Sequence, residues 1–246
     1  MRSRPLLALG LGLGCWWSTA ALAQWNPQMT ADLGRGMGQI ALSQSILSGT
    51  RRLGSDSTPS NSARPTTAGT GNPATLTYIP DPRISEQTRQ GILDNLSREN
   101  PALRQQMDVA LGGGKVLNIF ARFMSAHGFS SRNVADAMAM QLLVSWEIVT
   151  GRVATAAQIR GTDGQVRGVF LGTPQLRAMT NTERQQMAEN IAYQVVIGSA
   201  ANSQFQRAGD QAQLAQLRQT AATILRQRGI DLSRQQLTER GFVKMS

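Results

Sequence analysis

The stretch from Asn133 to Gly151, NVADAMAMQLLVSWEIVTG, constrains the fold of this chain more than any other part of it. Val134, Ala135, Ala137, Met138, Leu142, Leu143, Val144, Ile148 and Val149 leave almost no polar face. A helix that is apolar nearly all round belongs at the centre of a domain, with other helices packed on several sides. Its ends are legible. Asn133 suits an N-cap, Asp136 puts a carboxylate in the first turn, where the helix dipole favours it, and Gly151 suits the position after the helix.

The N-terminus speaks to compartment. Arg2 and Arg4 precede an apolar run from Leu6 to Trp17, and Ala21-Leu22-Ala23 is a small-x-small site before Gln24. That order predicts a secretory signal peptide rather than an uncleaved anchor, since the run is too short to span a bilayer. The only cysteine, Cys15, lies in this run with Gly12 where a lipoprotein site needs a large aliphatic residue, so it is expected to leave with the leader. A chain starting at Gln24 then has no disulfide, catalytic thiol or thiolate metal site. It must rely on its hydrophobic core.

Composition divides the remainder. Residues 24–54 read as a partly helical N-terminal arm, with Ile40, Ile46 and Leu47 on one side and Gly34, Gly36 and Gly38 against a firm helix. Residues 55–75 are rich in Ser, Thr, Pro, Gly and Asn and read as a disordered linker. An all-α domain is expected over 76–246, about 170 residues, enough for one ordinary core.

Within it the predicted helices run in order. Tyr78 to Pro82 is extended, because each proline pushes its predecessor out of the α region. Ser85 to about Arg98 and Pro101 to Leu111 are the first two helices, closed by Gly112-Gly113-Gly114, which lacks the Walker and GxGxxG spacings. Lys115 to His127 follows and is expected to pair with the central helix as an antiparallel hairpin, because the link is short. Residues 152–172 fit either an interrupted helix or a small hairpin around Asp163-Gly164, with the interrupted helix favoured. Pro174 to Met179 is a helical turn. Thr180 with Glu183 is a capping box for a long helix to about Gln206, and Asp210 to Arg228 is an amphipathic helix closed by Gly229. Ser233 with Gln236 reads as a second capping box, starting a last short helix that Gly241 ends. The expected architecture is an irregular bundle of about seven helices around the central helix, 133–150.

Side chains capable of chemistry are few. His127 is the only histidine, and it sits at a helix C-terminus that favours an imidazolium, so a catalytic triad or His-rich metal site has no second member. HExxH and EF-hand patterns are absent, and neither metal nor cofactor is expected. Asp136 and Glu147 share a face of the central helix, but eleven residues put them about 16 Å apart along the axis, beyond the roughly 5–10 Å of paired glycosidase carboxylates. Either could work with Glu189. The favoured reading is structural, with Arg122, Arg132 and Arg184 as ion-pair partners, because charges in a core are normally paired. Trp146 and Tyr193 could line a pocket, but aromatics at helical spacing are usually core, and Trp146 in the central helix is expected to be so.

The formal net charge of +10 falls to +8 without Arg2 and Arg4, and nearly all of it is arginine. The arginines are scattered rather than clustered, so a nucleic-acid footprint is not indicated; an envelope protein or an anionic surface is the partner class the basic balance allows.

Asn133-x-x-Asp136 with Trp146 and Gly151, followed by Arg184-Gln185-x-x-Ala188-Glu189, resembles an uncharacterised family of secreted bacterial proteins that carries only a domain-of-unknown-function label. The likeness covers Tyr78 to Leu225. It implies a signal peptide and a helical domain, and brings no activity, cofactor or catalytic residue. The function expected is that of an exported, non-enzymatic helical binding or scaffold protein of the bacterial cell envelope. The alternatives are a carboxylate-based hydrolase of cell-wall glycan and an arginine-mediated binder of anionic lipid or nucleic acid.

Overall fold

The structure is a computed structural model that describes residues 76–97, 108, 109 and 111–245. The predicted leader, arm and linker, and most of the helix expected from Pro101, lie outside these residues. Among the described residues there are seven α-helices and one β-hairpin. The helices are α1 (Pro82–Ser97), α2 (Lys115–Ala126), α3 (Val134–Thr150), α4 (Ala156–Gly172), α5 (Pro174–Arg177), α6 (Asn181–Ala208) and α7 (Gln211–Gln227). Strands β1 (Gln235–Thr238) and β2 (Gly241–Lys244) complete the order.

α3 is the central element. Every residue from Val134 to Ile148 is buried, and α4, α6 and α7 all pack on it. Asn133 caps it as expected, its side-chain oxygen accepting from the amides of Ala135 and Asp136. Gly151 ends it in the left-handed conformation, φ 67°, which the absence of a Cβ makes inexpensive. Each fully buried Leu, Val, Ile or Met on α3 contributes roughly 1.5–3 kcal/mol through the area it removes from water.

Four local expectations change. α1 begins at Pro82 rather than Ser85: Asp81 Oδ1 accepts the Arg83 amide at 2.9 Å, and Pro82 takes the first helical position, where no donor is needed. α4 is uninterrupted, because Thr155 and Gln158 form a reciprocal capping box that fixes its start. α2 lies chiefly against α6 instead of pairing with α3. The link between α2 and α3 turns at Ser131–Arg132 and is held at its end by the incoming chain, with the Tyr78 amide donating to Arg132 O at 3.0 Å and Thr77 bridging Asn133.

The fourth change is at the C-terminus. The predicted last helix is an antiparallel hairpin, registered from Gln235 opposite Lys244 to Thr238 opposite Gly241. Ser233 Oγ donates to Asp231 Oδ1 at 2.8 Å, so it does not cap a helix. Two turns of helix would bury little, whereas the hairpin buries Leu237 and Phe242 against the core. α4 receives it closely. Gln165 accepts from the Phe242 amide and donates to its carbonyl, both at 2.9 Å, taking the place of a neighbouring strand. A Cβ on Gly161 would stand 2.1 Å from Glu239 O, so only glycine permits this approach.

Candidate functional site

The three carboxylates singled out by sequence are all buried, and each is held by different groups. Asp136 is held at the start of α3 by the Ser130 amide, 2.8 Å from Oδ2, and by the Arg167 guanidinium on Oδ1. Arg167 also reaches Asp163 Oδ1 at 2.8 Å, one turn back on α4. Burial pushes the Asp136 carboxyl above its ordinary range, against the lowering effects of the Ser130 amide and Arg167. Glu147, fully buried near the other end of α3, accepts the Ala154 amide at 2.8 Å on Oε1 and so fastens the loop that leads into α4.

Glu189 sits between α6 and α1. Its Oε1 accepts from Ser85 Oγ at 2.7 Å and from Gln185 Nε2 at 2.9 Å. Gln185 in turn accepts the Asp81 amide at 2.9 Å, so α6 holds the first turn of α1 through side chains one helical turn apart. Burial raises the Glu189 carboxyl, and the two donors only partly offset it. Burial followed by the Glu189 charge also raises the hydroxyls of Tyr78 and Tyr193, the latter to about 12. Asp136 and Glu189 share no hydrogen-bond partner among the described residues.

The arginine partners differ from those expected. Arg122 and Arg132 are exposed, and Arg184 donates through Nη1 to the Met179 carbonyl, stapling the turn before α6. The arginine on Asp136 is Arg167, and Glu189 is held by Ser85 and Gln185, uncharged donors. The reason is geometric: α4 runs along α3, so a residue 31 positions away reaches the carboxylate that nearer arginines do not. Trp146 is core, 4% exposed, with the Arg152 guanidinium 5.6 Å from its ring centre. His127 closes α2 with Nδ1 2.9 Å from Phe123 O and its ring edge-on to Phe123.

Two features carry no mark in the sequence. Arg228 is buried at the C-terminal cap of α7, where the helix carbonyls favour a cation, and burial lowers its pKa to about 10. The second is a crevice of about 40 Å³ between α3, α6 and α7, walled by Val144, Ile148, Val195, Leu217, Ala221 and Ile224. Gln141, Ser145, Gln194 and Thr220 are its polar edge, and no titratable side chain lines it. None of the three carboxylates reaches it. Among the described residues no group of three or more His, Cys, Asp or Glu is placed to hold a metal ion, and no helix is long and apolar enough to cross a membrane.

A family model matches residues 17–244, nearly the whole chain, including every element above. The chain belongs to DUF6683, a family of unknown function. No curated protein and no solved structure matches it.

Proposed function

We propose that this DUF6683 chain is an exported, non-enzymatic helical protein that binds or scaffolds a component of the bacterial cell envelope. The observation that carries the reading is the use made of the carboxylates. Glu147 and Glu189, the candidates for acid–base work, accept hydrogen bonds that tie one element to the next, and Asp136 closes an ion pair with Arg167. A general acid needs its proton to point at a substrate, whereas these groups face helix starts and loop amides. The leader read at residues 1–23 supports export, and the net positive charge of the sequence suits an anionic envelope.

Expression of the full chain in a bacterial host, fractionation, and determination of the N-terminal residue test this directly. The reading expects a mature chain beginning at Gln24 in the periplasm or medium, and its co-sedimentation with isolated envelope. A cytoplasmic chain that retains Met1, or a mature chain that ignores the envelope, contradicts it.

A further inference from the structure

We propose that the crevice between α3, α6 and α7 is a binding site for a neutral, unbranched aliphatic chain end that carries one hydrogen-bond donor. This rests on the reading of the chain as a binding protein and names the ligand chemistry of its concave feature. The walls are aliphatic: Val144 and Ile148 from α3, Val195 from α6, and Leu217, Ala221 and Ile224 from α7. Charge is excluded from the ligand, because no lysine, arginine, histidine or acid lines the space and a buried ion without a partner costs several kcal/mol. Size is limited by the volume of about 40 Å³, against about 150 Å³ for a cavity that accepts benzene. A few methylenes fit; a ring does not.

The donor is called for by Gln141. This side chain is 2% exposed and lines the crevice, and its Nε2 donates to Gln194 Oε1 on α6. Its own Oε1 is buried with no partner among the described residues. An unmet buried carbonyl costs about 1–3 kcal/mol, and a ligand hydroxyl or amide N–H placed beside the aliphatic walls removes that cost. Entry is from the side of Gln194, Thr220 and Ile224, which are half-buried where the neighbouring wall residues are fully buried. Gly198 supplies the way to test the site. A Cβ there would meet only the tip of Ile148 at 3.9 Å, so a larger side chain has room to grow into the crevice while improving the helix.

The experiment is a methyl-detected NMR titration of the mature chain with 1-pentanol and, separately, with butyl methyl ether, which has the same chain length and no donor. Expected are saturable shifts confined to the methyls of Val144, Ile148, Val195 and Leu217, with 1-pentanol at least about fivefold tighter than the ether, the ratio worth one neutral hydrogen bond. Gly198→Leu abolishes the shifts, Gly164→Leu on the open side of α4 leaves them intact, and Gln141→Leu brings the two probes to equal affinity. Absence of saturable shifts up to the solubility limit overturns the proposal, as do shifts that survive Gly198→Leu or equal binding of both probes to the unaltered chain. A chain that binds pentanol in this way and also turns over glycan would sink the non-enzymatic reading and leave this site standing.

Discussion

Burial raises the Glu189 carboxyl above its ordinary value, so the folded chain holds that proton more tightly than the unfolded chain does. The stability linked to it is therefore complete below the unfolded carboxyl pKa of about 4.3 and is lost as pH rises through the folded value. Glu189→Gln keeps an acceptor oxygen for Ser85 and Gln185 and removes the charge. Urea melts should show the variant's stability, relative to the unaltered chain, rising between about pH 4 and pH 8; a difference that stays flat would mean that burial does not perturb the group. Asp136 has the same direction of shift but a guanidinium on it. Arg167→Ala leaves that carboxylate buried without its cation and should cost about 2 kcal/mol, less than the 3–5 of a fully sealed pair because Arg167 is 31% exposed. Adding Asp136→Asn should recover part of the loss. Thermal or urea unfolding of the two variants reads both effects.

At the scale of elements, most helix limits were legible because capping is local chemistry. Asn133, the Thr180–Glu183 box, Asp210 and Gly151 each mark an end within four residues of the groups they satisfy. The failures have the opposite origin. The C-terminal hairpin is decided by α4, through Gln158, Gly161 and Gln165 far back in the chain, while Ser233 and Gln236 imitate a helix start. The candidate site divides in the same way: carboxylates within an apolar run announce themselves, but the Ser85–Glu189 contact spans 104 residues and Asp136–Arg167 spans 31, and no local pattern encodes either. The glycines of α4 separate these scales experimentally. Gly161→Ala drives a methyl against the Glu239 carbonyl and should cost about 1–3 kcal/mol, with loss of hairpin amide protection. Gly164→Ala, three residues on with nothing within 4 Å, should stabilise by about 0.5–1 kcal/mol. Urea titration with hydrogen exchange distinguishes the two, and equal effects would disprove the close docking of the hairpin.

At the scale of the molecule, the buried carboxylates fasten elements together, and the crevice between α3, α6 and α7 is lined by uncharged side chains. α3 is packed by α4, α6 and α7, and the carboxylates secure its two ends and the first turn of α1. The proposed binding role rests on that use of the carboxylates, since the fold alone implies no function. The most direct measurement incubates the purified mature chain with cell-wall glycan between about pH 5 and pH 8, a range that spans raised carboxyl pKa values, and follows released reducing ends. No release above that of heat-denatured protein is the predicted result. Release that saturates with substrate and disappears in Glu189→Gln would contradict it and make that buried carboxyl a catalyst.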